Sequence, residues 1–314
     1  MTPSYLIRLV LLSSASFFLV QLVVGAILAW ITPQAIRRAG SMGPRRAARF
    51  LLTLRLLPSA LSVTVVAALC VPSYLRFEPL VAEEEVGFAC LAAAILGAAL
   101  CAFSILRAVA ALLRSWEFVR ACDGVESRID GETVWVVKHN AGLALAGILR
   151  PRLLISEAAL RELSPDQLAV AMRHECAHRS SLDNWKRLLI LLTPSIFPRL
   201  RLLDRAWAKN AEWAADEQAT DGSAEQSAAL AEALVRVARL QAGISMPVLV
   251  TCLVEADEDL SQRVDRLLDA PALTETSFRT GPMALAGLAL LICGIAVNPA
   301  SQRVVHHLLE ILLD

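Results

Sequence analysis

Residues 164–185 read SPDQLAVAMRHECAHRSSLDNW, and the rest of the chain is best understood outward from them. Ser164 suits a helix N-cap, Pro165 the first helical position, and Gln167 completes a capping box, so the pattern predicts a helix from 165 to about 180. On that helix His174, Glu175, Cys176, Ala177 and His178 form an HExxH pattern. Positions i and i+4 share one helix face a turn apart, so both imidazoles can reach one Zn²⁺. Glu175 projects beside them, within reach of a water activated by the metal. The chain has five His, the others being 139, 306 and 307. Two of five flanking a Glu on a capped helix is not how surface histidines are usually placed.

A catalytic zinc takes a third protein ligand and keeps one position open. No further His is well placed downstream before the last apolar run. The candidate lies in NAEWAADE, residues 210–217, where Glu212 precedes Asp216 by one helical turn. Glu212 is expected to bind the metal. Asp216, on the same face, is expected to accept a hydrogen bond from the other ring nitrogen of a ligand histidine, His174 being the first choice; such a bond fixes the tautomer. Glu217 and Asp221 read as a solvated helix face.

The surrounding chain is unusually apolar: 56% hydrophobic, 19% charged, with a mean hydropathy of +0.55. An excess of that size points to membrane spans rather than a larger core. Apolar runs cover residues 9–31, 51–71 and 86–113, each near the roughly 20 residues a spanning helix needs. A shorter fourth run lies at 283–297, so the division predicted is three spans within 1–113, a soluble domain over 114–281, a fourth span at 282–298 and a short amphipathic tail at 299–314. Lys plus Arg and Asp plus Glu are both 30, which gives no global reason to expect nucleic-acid binding. The seven Cys are odd in number and include no CxxC pair, so a disulfide framework is not expected.

Charge placement predicts direction. Arg37, Arg38, Arg45, Arg46 and Arg49 crowd the segment after the first run. The segment 72–85 carries Arg76 against Glu78, Glu83, Glu84 and Glu85. The positive-inside rule then puts 32–50 and the domain in the cytoplasm, with the N-terminus and the tail outside, in a bacterial inner membrane. Tyr5, Trp30, Tyr74 and Trp116 fall at span ends, as an aromatic belt would place them. Arg8, Arg55 and Arg107 are expected to snorkel.

In the domain, TVWVVKH (133–139) reads as a strand, LALAGILRPRLLIS (143–156) as one or two more, and 157–163 as a short helix. Further helices are expected over 182–193, about 199–220, 224–242 and 259–269. The run LLILLTPSIF (188–197) is either domain core or a surface dipping into the bilayer. An oxyanion helper cannot be Tyr, since the only two are Tyr5 and Tyr74; His139 or an Arg remains open. A strand edge within 143–156 could receive an extended substrate.

RHECAHRSSLDNWKRLL, NAEWAADEQA and DLSQRVDRLL, together with VWVVKHNAGLALAGILRPRLLIS before them, resemble the BlaR/MecR-type antirepressor metallopeptidases, over the chain to about residue 298. The resemblance implies a mainly α, four-span integral membrane protein with a cytosolic gluzincin-like α+β zinc peptidase domain, a small sheet plus the HExxH helix. It implies a cytosolic protein substrate, a DNA-binding repressor being the candidate, and a structural or ligand-orienting role for Asp183. The penicillin-binding domain of the family's β-lactam sensors has no counterpart in 298–314, so β-lactam sensing is not expected. A housekeeping membrane protease of the HtpX type shares the same chemistry and is the alternative. A catalytically silent receptor is a second, against which the intact Glu175 argues. The oligomeric state is not legible.

Overall fold

The computed structural model describes residues 3–77, 86–138, 142–240, 247–252 and 259–269, with 303, 304 and 307. Three helices among them are long and apolar enough to cross a membrane. The first, α1 (Pro3–Ala39), contains the run 9–31. The second is α2 (Pro44–Val65), which continues through a wide turn at Val66–Cys70 into α3 (Val71–Phe77). The widened turn sits just before Pro72, whose ring would collide with the carbonyl four residues back in a regular helix. The third is α4 (Phe88–Ala121). The expected fourth span and most of the tail lie outside the described residues.

The spans pack through small side chains. The buried face of α4 carries Cys90, Ala93, Ala94, Gly97, Ser104, Ala108, Ala111 and Ser115. Such a stripe lets two helix backbones approach closely, which in lipid replaces the missing hydrophobic drive. At Gly97 the approach is extreme: a Cβ there would lie 2.4 Å from the Ser14 carbonyl oxygen. The opposite face of α4 leaves Ile95, Phe103, Leu106 and Leu113 exposed. Trp30 and Trp116 are exposed as a belt requires. Tyr5 and Tyr74 are not: they are buried against one another, ring centroids 4.9 Å apart, and the Tyr74 hydroxyl donates to the Tyr5 carbonyl at 3.2 Å.

After α4 the chain forms a five-stranded mixed sheet. Its strands are β1 (Gly124–Ile129), β2 (Glu132–Val137), β3 (Leu143–Ala146) and β4 (Arg152–Ser156). Helices α5 (Glu157–Glu162), α6 (Pro165–Ser181), α7 (Asp183–Leu192), α8 (Arg201–Thr220) and α9 (Ala224–Leu240) follow. The strand β5 (Val250–Cys252) and the helix α10 (Asp259–Leu268) complete the described part. Sheet order is β1-β2-β4-β3-β5, with β2 and β4 parallel and the other pairs antiparallel. One face, with Val134, Leu143, Leu153 and Ile155, packs under α6 and α9 through Val170, Ala171, Leu230 and Leu234. The other, with Val137, Ala144 and Leu154, meets Phe118 and Val119 at the end of α4. The sheet is thus seated directly on the last turns of a candidate span.

Two expectations change. The strands at 143–156 do not offer a free edge, because β5 pairs along β3, Leu145 opposite Thr251; a tertiary partner from over a hundred residues downstream leaves no local trace. Arg55 does not snorkel. It is 3% exposed, and its Nε donates to Asp204 Oδ1 at 2.7 Å while Nη1 donates to Thr193 Oγ1 at 2.9 Å. A buried guanidinium needs such partners, and they tie α2 to the start of α8. Leu203, Trp207 and Ala211 of α8 continue the contact against Leu28, Ala35, Ala47 and Leu51 of α1 and α2. The run 188–197 is core in part: Leu188 and Leu191 pack with Ala108 and Ala111 of α4, while Leu189 and Leu192 stay exposed.

Candidate metal centre

The capping box forms as the sequence predicts. The Gln167 amide donates to Ser164 Oγ at 3.3 Å and the Ser164 amide to Gln167 Oε1 at 3.1 Å. These bonds satisfy two of the amides a helix start leaves unpaired, and fix α6 ahead of its buried half. His174, Glu175 and His178 are fully buried there. α6 stops at Leu182, which takes a left-handed conformation with φ 57°. For a branched side chain that costs roughly 1–3 kcal/mol. The reversal brings Asp183 back under α6, where its Oδ2 lies 2.7 Å from His178 Nδ1. Lys186 donates to the other oxygen, and Asn184 donates to the carbonyls of Leu145 and Gly147, tying α7 to the sheet.

α8 crosses α6 and presents Glu212 and Asp216 toward the two imidazoles. Asp216 Oδ1 is 2.9 Å from His174 Nδ1, although the ring N–H does not aim straight at that oxygen. Each Nδ1 therefore faces a carboxylate and carries the proton. Both Nε2 atoms then face inward, 3.1 Å apart. The Glu212 oxygens complete the ring, each 3.5 Å from one Nε2, and neither accepts a hydrogen bond from any described residue. Two ring nitrogens and a carboxylate facing one buried point are a donor set that suits a metal cation. Ligands of a tetrahedral zinc at about 2.0–2.1 Å stand roughly 3.3 Å from one another, close to the three separations here. His174, His178 and Glu212 could thus hold a metal ion.

The electrostatics favour positive charge at this point. Burial opposes charging His178, but the Glu212 charge and the Asp183 bond outweigh it and push the imidazole up to about 10. Burial likewise opposes charging His174, yet the Asp216 and Glu212 carboxylates beside it raise it. Burial pushes up Asp183, Asp216 and Glu212 too, and their cationic neighbours more than offset it, so all three are lowered. Glu175 differs. Burial, helped by the Glu212 charge, raises it to about 7 against the pull of the two histidines and Arg263, and neither of its oxygens accepts a hydrogen bond from a described residue. A proton acceptor poised near neutrality beside two ligand nitrogens fits general-base work.

The sequence did not single out Arg263. It lies on α10, buried, and grips Asp216 with Nε at 3.0 Å and Nη2 at 2.7 Å. Its Nη1 is 3.4 Å from Glu212 Oε2, and Arg187 Nη2 is 3.7 Å from Oε1. The amphipathic pattern of 259–269 marked the helix but gave no means of telling this arginine from its solvated neighbours. His139, the other open choice for an oxyanion helper, lies outside the described residues.

The family model described as BlaR1 peptidase M56 matches residues 58–267, a span that runs from the middle of α2 through both metal-site helices into α10. No curated protein matches the chain.

Proposed function

The chain belongs to the BlaR1 peptidase M56 family, and from that premise we propose that this membrane-associated metallopeptidase is a zinc endopeptidase that cuts a cytosolic protein, a transcriptional repressor being the substrate that best suits it. The observation that carries the reading is the ring of inward-facing atoms from His174, His178 and Glu212 with the unbonded Glu175 carboxylate beside it.

His174, His178 and Glu212 would hold the ion, with Asp216 and Asp183 fixing the ring tautomers. Bound there, zinc supplies Lewis acidity, polarising the scissile carbonyl and acidifying the attacking water. Glu175 takes that water's proton and hands it to the departing amine. Its raised affinity for a proton suits both halves of the transfer. Of the two arginines by the site, Arg187 is the more exposed, 12% against 4%, and is our choice to meet the developing oxyanion.

The cytoplasmic assignment rests on one end of the bundle. Arg37, Arg38, Arg45, Arg46 and Arg49 flank the turn between α1 and α2, and Arg45 donates to Gln218 at the end of α8. The peptidase helices therefore sit at the arginine-rich end, the end that the positive-inside rule assigns to the cytoplasm.

The test is a comparison of newly created protein N-termini in cells carrying the wild type or Glu175→Gln. The variant retains every proposed ligand and lacks the base. Termini within a linker of one DNA-binding repressor, present only with the wild type, support the proposal. Losses spread over many misfolded membrane proteins with no repressor among them would favour the housekeeping protease instead.

A further inference from the structure

α10 rests on α9 by one side and on α8 by the other. Leu267, with Leu260 and Val264, enters the core beside Leu230, Leu234 and Val237. Toward α8 the contacts are charged or polar. Arg263 holds Asp216, Arg266 Nη2 lies 2.5 Å from Glu217 Oε1, and Lys209 donates to Gln262. The Arg266 guanidinium also lies over the Trp213 ring, 4.8 Å from its centroid.

Arg263 stands apart from the rest because it is 3% exposed and touches two residues of the metal site at once. Removing a guanidinium from water is costly unless its fork is matched. Here Nε and Nη2 take the two oxygens of Asp216 separately, which fixes the carboxylate plane as a single point charge could not. Oδ1, shared between Arg263 and His174, is thereby held where it meets the ring nitrogen. The third nitrogen, Nη1, steadies Glu212. With Glu175 also buried nearby, three carboxylates share this space, and Arg263 reaches two of them.

We propose that Arg263 is a positioning residue of the metal site: it aims Asp216 at His174 and steadies Glu212, so that metal affinity depends on α10 being docked. The proposal rests on the reading of His174, His178 and Glu212 as ligands. A mere staple between helices would support folding and leave metal affinity alone; a positioning residue affects affinity in protein that remains folded.

The experiment measures zinc affinity by chelator competition, and thermal unfolding of the metal-free state, on the full chain in nanodiscs. The variants are Arg263→Lys, Arg263→Met, Arg266→Met and His174→Ala. Loss of an orienting partner of this kind typically weakens metal binding about 10–100-fold. Arg263→Met is expected in that range and Arg263→Lys between it and the wild type. Arg266→Met, which cuts the same helix pair at its exposed edge, is expected to bind as the wild type does. Should Arg263→Met not fold, the affinity of Arg263→Lys decides. Zinc affinity lost in His174→Ala but unchanged in the folded Arg263 variants overturns this proposal alone. Affinity unchanged in His174→Ala overturns the ligand assignment and this proposal with it.

Discussion

At the scale of single residues, protons would compete with the proposed zinc for the same point. The metal-free His178 holds its proton up to about 10 against an ordinary 6.5. Its contribution to stability is therefore full below 6.5 and lost as pH rises toward 10. Glu175, raised from 4.5 to about 7, adds a loss in the same direction over that earlier range. Glu212 and Asp216, both lowered, act oppositely and cost stability only as the solution becomes acid. Metal-stripped protein should thus unfold at progressively lower temperature as pH rises from 6.5 to 10. At pH 7–8 zinc binding should release at least one proton, since the ligand nitrogen must be bare. Calorimetric titration in buffers of different ionisation enthalpy measures that release, and a value of zero would refute a charged His178. The HExxH trio was legible because its spacing is local and its chemistry specific. Arg263 was not, because an arginine on an amphipathic helix faces water by default and only its distant partner shows otherwise.

At the scale of elements, boundaries followed local signals where such signals existed. The capping box placed α6 at its first residue. The hairpin of β1 and β2 had a signal that went unused: Asp130-Gly131, with φ 48° and 82°, is the two-residue turn that favours tight hairpins. GVESRI carries no alternation of apolar residues to mark it as a strand, and it is an exposed edge. β5 carried no such cue, since three residues pair only because β3 lies beside them. The contact of α1 with α4 gives a prediction here. Gly97→Val places carbon atoms where the Ser14 backbone stands, and backbone cannot yield as a side-chain tip can. The two helices must separate, at a cost of about 1–3 kcal/mol or more for overpacking. Unfolding in mixed detergent should fall accordingly, while Ile95→Val, on the exposed face, should leave it unchanged within about 0.5 kcal/mol.

At the scale of the whole molecule, the spans and the site form one packed body. α8 carries Glu212 and Asp216 on one side and, on another, packs on α1 and α2; the sheet under α6 rests on the end of α4. Apolar length announced the spans, but nothing in composition told that a span helix would reach the helix of the proposed metal ligand. Reporter fusions test the direction assigned to this body. Fusions after residues 40 and 200 should read as cytoplasmic and one after 80 as external. An external signal at 200 would place the peptidase opposite to any cytosolic substrate.

The tie between Arg55 and Asp204 spans 149 positions of chain, and a ribosome makes those positions in order. At about 5–20 residues per second, α2 is complete for roughly 7–30 seconds before its carboxylate partner exists. In that interval Arg55 lies at the margin of an apolar segment, where an unpaired charge costs less than the about 2.5–3.5 kcal/mol it would at mid-bilayer. Reaching for lipid headgroups is the only relief open to it then. In the folded protein that charge is buried and paired instead. Only a chain that already carries α8 can give Arg55 its carboxylate, so a fragment ending before residue 204 is left with a charge that the whole protein neutralises.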